Sequence, residues 1–295
     1  GHSFFTNPDI GIEVTFTDCV HHEKDIYLRK AVVKNTENKK RNVKLFLNQH
    51  FHIAGDNVGD TAFYEPYNEC IIHYKAHRYF LINGRCNKQR FSQFATGAAD
   101  EGERLGTWVD GNDGKLEGNP IEHGSVDSTM SFDFTLDPQK SETVYFWICT
   151  GKRMGEVRAL NDVVLKKTPK KLIDETETYW RTWVNNHTCT FYGVDDAVIN
   201  QFKRSLLIVR TLTNHNGAIM AAIDSDVMSV KQDTYNYMWP RDGALISRSL
   251  DKSGYTDITD NFFDFCAEMV SHDGYLFHKY LPDKSYGSSW HPWYK

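Results

Sequence analysis

The chain has 295 residues, more than one typical hydrophobic core accommodates, so two domains are the expected arrangement. Charged residues make up 25% of the chain and sum to a formal net charge of -5, which argues against nucleic acid as a principal partner. The sequence contains no run of about 18 apolar residues, so we predict no transmembrane helix and expect no membrane partner.

The cysteines exclude two further classes of protein. Six of them are widely spaced along the chain, and none forms a C-x-x-C pair. This spacing fits neither a zinc ribbon nor a dense disulfide framework. We therefore predict free, buried thiols, which favours a reducing compartment.

The first half of the chain shows the two-residue period of β-strands. Apolar and polar residues alternate over residues 12–17, 43–51 and 130–136, and polar turn segments separate these stretches. A continuous apolar run from Val144 to Cys149 is typical of a strand that is covered on both faces. The pattern predicts an antiparallel β-sandwich domain over residues 1–152.

The spacing becomes helical after Gly151. Helices are predicted over residues 154–166 and 170–187, because Thr168-Pro169 forces a break between them. We assign residues 153–190 to a helical linker. The last part, residues 191–295, has room for three or four helices. One of these is capped by Asp195, one runs from Pro240 to near Gly254, and one from about 257 to 272.

Residues 235–242 concentrate the candidate chemistry. Pro240 fits the first turn of a helix, so Arg241 and Asp242 lie where backbone N–H groups are free. An aromatic wall beside such a pair suits a neutral polyhydroxyl ligand, because rings pack on C–H faces while the pair binds hydroxyls. The alternative is a buried turn with a structural salt bridge. The three aromatic residues alternate and would share one face of an extended strand: Tyr235, Tyr237 and Trp239.

Other catalytic schemes find little support. The sequence has no G-x-S-x-G or H-E-x-x-H motif and no nucleotide-binding loop, so no cofactor is predicted. His50 and His52 would share one strand face and could chelate a metal, but without a third ligand we favour two separate surface histidines and predict no metal site. Glycoside hydrolysis normally needs two carboxyl groups, and Glu268 is the single glutamate after Tyr179.

Two segments in the last third of the chain carry a family resemblance. The first contains Ser205-Leu206-Leu207, Thr213, Gly217-Ala218-Ile219, Ala221-Ala222 and the run from Tyr235 to Ala244. The second contains Asp273-Gly274-Tyr275, His278-Lys279-Tyr280, Pro282-Asp283 and Gly287-Ser288-Ser289-Trp290. In this order they resemble the start of the catalytic domain of bacterial and archaeal glucoamylase-like glycoside hydrolases, family 15.

The resemblance implies a fold and an activity. The fold would be an all-β super-sandwich followed by an α-helical segment, the first helices of an (α/α)6 toroid. The activity would be inverting exo-hydrolysis of α-linked glucosides, so the expected partner is an α-glucan or a glucose-containing oligosaccharide. The resemblance places four residues in the subsite for the terminal glucose, and two in the next segment that lines the site: Tyr235, Trp239, Arg241 and Asp242, then Lys279 and Trp290.

The chain departs from the family in one respect. The family's general acid and general base are glutamates on later loops of the toroid, and the chain ends before either. We therefore expect no catalytic residue in this chain and an inactive isolated fragment, with the remainder of the toroid as a continuation or a companion chain. The alternatives are α,α-trehalase or glucodextranase activity, or a non-catalytic carbohydrate-binding or scaffold module.

Overall fold

A computed structural model describes residues 1–55, 58–102, 104–186, 190–223 and 235–287. The chain forms two compact units, which are Gly1–Tyr179 (unit 1) and Trp180–Lys295 (unit 2). This division into units does not test the domain limits predicted at residues 152 and 190, which remain predictions. Across the described ranges, no helix is both long and apolar enough to cross a membrane.

Unit 1 is mostly β-sheet. Its larger sheet has the strand order β1-β2-β3-β12-β7-β6-β5-β10, and its smaller sheet has the order β4-β11-β8-β9. All neighbouring strands in both sheets pair antiparallel. The strands are β1 His2–Asn7, β2 Ile12–Val20, β3 Ile26–Asn35, β4 Arg41–His50, β5 Asp60–Glu65, β6 Cys70–Lys75, β7 Arg78–Cys86, β8 Gln93–Glu101, β9 Arg104–Leu105, β10 Ile121–Gly124, β11 Val126–Leu136 and β12 Ser141–Gly151. A single helical turn, α1, covers Thr107–Asp110.

The two sheets pack face to face, as the alternating pattern predicts. Their shared core takes Ile82 and Phe146 from the larger sheet and Met130 and Phe132 from the smaller one. Phe132 is 1% exposed and Met130 is fully buried, because these alternate positions of β11 face inward. Ser131, which lies between them, alternates to the other side of the strand, where its Oγ donates to Asp133 Oδ1 at 3.1 Å.

Strand β12 is buried on both faces, which confirms the prediction from its continuous apolar run. Val144 and Phe146 pack into the core between the sheets. Trp147 and Cys149 point to the opposite face, where they pack against helices α2 (Met154–Lys167) and α3 (Pro169–Val184). The helices contribute Val157, Val164, Leu172 and Ile173 to this second core of unit 1.

A buried amide ties α2 to the larger sheet. Asn161 of α2 is fully buried, and its Oδ1 accepts hydrogen bonds from Trp147 Nε1 at 3.0 Å and from Asn83 Nδ2 at 3.3 Å. A buried indole N–H without a partner carries a desolvation cost, so this bond fixes where α2 lies on the sheet.

The helices of unit 2 begin where the sequence predicts and end earlier. They are α4 (Asp196–Thr211), α5 (Pro240–Lys252) and α6 (Thr256–Met269). The Asp195 side chain caps α4 by accepting a hydrogen bond from Ala197 N at 2.7 Å. The prediction that the last helix extends to residue 272 is wrong, because Val270 is extended and a turn follows it, in which Gly274 N donates to Ser271 O. Likewise α3 ends at Val184 rather than 187.

The core of unit 2 brings α5 and α6 into close contact. Leu206 of α4, Leu250 of α5, and Phe262 and Phe265 of α6 are buried in one apolar cluster. Gly243 in α5 faces the ring of Phe262 so closely that a Cβ at this position would overlap the ring. The glycine therefore sets how near the two helices approach.

The five cysteines within the described residues are free, as predicted, and all but Cys19 are buried. Burial raises the pKa of the Cys70 thiol to about 12 and that of Cys86 to about 11. Such thiols are poor nucleophiles and metal ligands, because the thiolate is the reactive form. The remaining cysteine, Cys189, lies outside the described residues.

Replacing Asn161 with alanine is expected to lower the free energy of unfolding by about 1–3 kcal/mol, because the buried Trp147 N–H loses its acceptor. Urea denaturation followed by circular dichroism measures this change. Asp162→Ala is the matched control, since Asp162 is the next residue on the same helix and is exposed. Equal effects of the two substitutions would contradict a specific role for the buried amide.

Gly243→Ala is expected to destabilise unit 2 by about 1–3 kcal/mol, because overpacking against Phe262 outweighs the higher helix propensity of alanine. The same change at Gly155 of α2, where no atom lies within 4 Å of the added Cβ, serves as the control and should cost nothing. Thermal unfolding of both variants tests the contrast. A Gly243→Ala protein as stable as the parent would rule out the close helix contact.

Candidate functional site

The first turn of α5 presents a charged pair to solvent. Trp239 is the extended residue before the helix, with φ -104° and ψ 118°, and Pro240 is the first helical residue, as predicted. Arg241 Nη2 lies 3.2 Å from Asp242 Oδ2, and the two side chains are 82% and 50% exposed. An acidic side chain in a first helical turn is stabilised by the helix dipole. This pair therefore offers both hydrogen-bond donors and acceptors to a ligand in solution.

Backbone pairing brings three separate segments to one place in unit 2. Met238 and Tyr280 exchange two backbone hydrogen bonds of 2.9 Å each. On the other side, Ala221 N donates to Tyr237 O at 3.0 Å. Tyr280 in turn bridges to Tyr286. Met238 and Tyr280 are fully buried in the apolar core of unit 2.

The residues on either side of Met238 and Tyr280 alternate away from that core. Trp239 lies beside both neighbouring tyrosines: its ring centroid is 6.2 Å from that of Tyr235 and 5.6 Å from that of Tyr237, the latter with an edge-on geometry. Tyr235 is 51% exposed, whereas Tyr237 and Trp239 are 5% and 8% exposed. The aromatic group thus has one accessible ring and two largely covered ones.

Lys279 packs against this aromatic group. Its Nζ lies 4.0 Å from the centroid of the Tyr237 ring, a cation–π geometry, and the residue is 4% exposed. Gly287 packs against the aliphatic stem of Lys279, so closely that a Cβ there would lie 2.6 Å from Lys279 Cγ. A side chain at residue 287 would push the lysine from the ring.

The structure therefore brings together some of the predicted site residues. Tyr235 and Trp239 lie side by side, Lys279 joins them through Tyr237, and Arg241 pairs with Asp242 in the adjoining helical turn. Trp290 lies outside the described residues. The site residues implied by the family resemblance did not include Tyr237 or Gly287. The alternation of aromatics pointed to Tyr237, but its contact with Lys279 depends on a backbone pairing that local sequence does not reveal.

Glu268, the single glutamate after Tyr179, forms an ion pair on the surface of unit 2. Glu268 lies near the end of α6, its side chain is 61% exposed, and it forms an ion pair with Lys284. The Glu268 carboxylate is thus mostly exposed and paired with a cation.

Comparison with known proteins places this chain near carbohydrate-active enzymes, although no family model matches it. An uncharacterized glycosyl hydrolase of Methanocaldococcus jannaschii is 25% identical over 272 residues, which cover 90% of this chain and 42% of that protein. A bacterial glucoamylase complexed with acarbose superposes with a TM-score of 0.71 at 15% identity, over 97% of this chain and 42% of the other. An α-mannosidase of family GH92 from Bacteroides thetaiotaomicron matches with a TM-score of 0.44 at 12% identity, over 74% of this chain and 28% of the other.

The chain spans less than half the length of the glycosyl hydrolase and of the glucoamylase. Its mostly β N-terminal unit and the helices after it are similar in fold to the glucoamylase. The chain is thus glycoside-hydrolase-like in sequence and glucoamylase-like in fold.

Proposed function

We propose that this chain is the sandwich and the first toroid helices of a glucoamylase-like glycoside hydrolase that releases glucose from α-linked glucosides with inversion. The observation that carries the proposal is the sequence match, over 90% of the chain, to a protein named as a glycosyl hydrolase. The glucoamylase fold, matched with a TM-score of 0.71, supports the narrower assignment to an (α/α)6 enzyme of family 15.

In this proposal the residues around the start of α5 hold the terminal glucose. Tyr235 and Trp239 supply aromatic faces for the C–H groups of the sugar ring. Arg241 donates to sugar hydroxyls and Asp242 accepts from them, since both side chains are exposed. Lys279, held against Tyr237, and Trp290 of the following segment complete the lining.

The proposed division of roles explains why a binding site lies here without a catalytic pair. Inverting hydrolysis needs an acid and a base about 6.5–9.5 Å apart, so that water fits between the base and the sugar. We place both carboxyl groups in the remainder of the toroid, on a continuation or companion chain. The isolated chain would then bind sugar weakly and hydrolyse nothing.

The activity itself is tested on the protein extended past Lys295. We expect glucose release from starch, isomaltosaccharides or trehalose, and the preferred substrate separates glucoamylase from glucodextranase and α,α-trehalase. Proton NMR of the first product should show β-glucose, because inversion of an α-linkage yields the β-anomer. Absence of glucose release from all three substrates would refute the assignment. A natural chain that stops at Lys295 and still binds maltose would favour the non-catalytic binding module.

Asp242→Ala in the extended enzyme is expected to lower kcat/KM by about 10- to 100-fold, the loss expected for a hydrogen bond to a charged group. The melting temperature should hardly change, because the exposed Arg241–Asp242 ion pair contributes less than about 1 kcal/mol. Asp251→Ala provides the matched control, since Asp251 is an exposed aspartate near the other end of α5. A large loss of stability in Asp242→Ala would favour the structural salt bridge instead.

A further inference from the structure

Two histidines and an aspartate of unit 1 converge, and no residue in this group takes part in the proposed sugar site. His50 Nδ1 lies 3.6 Å from Asp100 Oδ2, and His52 Nε2 lies 3.9 Å from the same oxygen. The two imidazole rings adjoin, with centroids 4.6 Å apart. One ligand atom from each of the three residues lies within 4.8 Å of the other two. We call this group the His50–His52–Asp100 cluster.

The sheet topology creates the cluster. His50 is the last residue of β4, and β4 and β8 both pair with β11, which lies between them. Neighbouring strands are about 4.8 Å apart, so β4 and β8 are separated by about 10 Å, a gap that side chains reaching from both strands can close. Strand β4 ends at His50, and the ring of His52, two residues later, lies next to the His50 ring at this end of the sheet.

A bulge in β8 presents the aspartate. The pairing of β8 with β9 shifts register between Ala99 and Glu101, and Asp100 between them has a left-handed backbone with φ +56°. Bulges re-aim a side chain, and a non-glycine residue in this conformation is uncommon. The Ala99 N–H donates to Ser125 O at 2.9 Å, which anchors β8 immediately before the bulge. The bulge therefore sets the direction in which the Asp100 side chain leaves the strand.

The cluster lacks a permanent cation. No lysine or arginine nitrogen among the described residues lies within 4.0 Å of the Asp100 carboxylate, whose near neighbours are the two imidazoles. His50 Nε2 is buried and has no hydrogen-bond partner within the same described ranges. The Asp100 carboxylate supplies a negative charge beside the two imidazoles, an arrangement that attracts a divalent ion.

The ligand types select the class of metal. Imidazole nitrogens with one carboxylate suit Zn²⁺ and its neighbours in the first transition row, whereas Ca²⁺ and Mg²⁺ prefer all-oxygen sites. Tetrahedral ligands at about 2.0–2.1 Å from Zn²⁺ lie about 3.3 Å from one another. The distances of 3.6 Å and 3.9 Å from Asp100 Oδ2 lie about 0.3–0.6 Å above that spacing, and the ligand atoms of the two histidines lie within 4.8 Å of each other. Binding of an ion would draw the two imidazoles and the carboxylate together.

We propose that His50, His52 and Asp100 form a binding site for a divalent transition-metal ion of the Zn²⁺ type. Three protein ligands leave a fourth coordination position open to water or to a small ligand. The ion would clip the end of β4 to the bulge of β8. The inference rests on unit 1 alone and does not depend on the proposed sugar site.

The test is zinc binding by the purified chain after removal of metals with a chelator. Titration with Zn²⁺ against a chromophoric chelator should show that each protein chain binds one zinc ion tightly. The melting temperature should rise with added zinc, because the ion binds the folded state. His52→Ala and Asp100→Asn should each weaken binding by at least about 10- to 100-fold. Asparagine tolerates the left-handed backbone of residue 100, so Asp100→Asn tests the charge without unfolding the bulge.

His77→Ala is the matched control, since His77 is an exposed histidine in the same unit. Its zinc affinity should equal that of the parent. Titration of Co²⁺ into the parent should give a tetrahedral-type visible spectrum that is absent in His52→Ala. Two results would overturn the proposal: no tightly bound zinc ion in the parent, or binding that His52→Ala and Asp100→Asn leave unchanged.

Discussion

The backbone pairing of Met238 with Tyr280 is the constraint on which the candidate site depends. Both side chains are fully buried in the core of unit 2, so neither residue can turn outward without leaving a cavity. Because side chains alternate along an extended backbone, this inward placement orients Tyr237, Trp239 and Lys279 to the other side. Exposing these two large side chains would cost free energy, and this cost holds the aromatic group in position. No strong direct interaction within the aromatic group is needed.

The same constraint separates rigid from accessible parts of the proposed subsite. Trp239 and Lys279 are 8% and 4% exposed and form a rigid, largely covered part of the proposed subsite lining, while Tyr235, Arg241 and Asp242 are open to solvent. Preorganised supports reduce the entropy lost when a flexible sugar binds. The accessible residues then need to provide only contacts, and the chemistry of bond cleavage falls to carboxyl groups elsewhere in the proposed enzyme.

Local periodicity and helix signals allowed much of the fold to be predicted. The run from Val144 to Cys149 indicated a strand covered on both faces, and Pro240 marked a helix start, because each signal reflects a contact that its own segment must make. Strand β1 was not predicted, because all six of its residues are exposed and carry no alternating burial. Contacts between distant segments were also beyond prediction. Lys279 reaches Tyr237, and Asp100 reaches His50, only through strand pairing that a single sequence does not encode locally.

The buried free cysteines have a consequence for studying how this molecule opens. Cys70, Cys86 and Cys149 lie in the cores of unit 1, and Cys266 lies in the core of unit 2. A core thiol reacts with an alkylating reagent only while its surroundings are open, so its labelling rate reports the free energy of that opening. Mass spectrometry of pulse-alkylated protein would follow each unit separately at natural residues, with the half-buried Cys19 as an internal fast-reacting reference. The chain thus carries its own probes of local unfolding in both units.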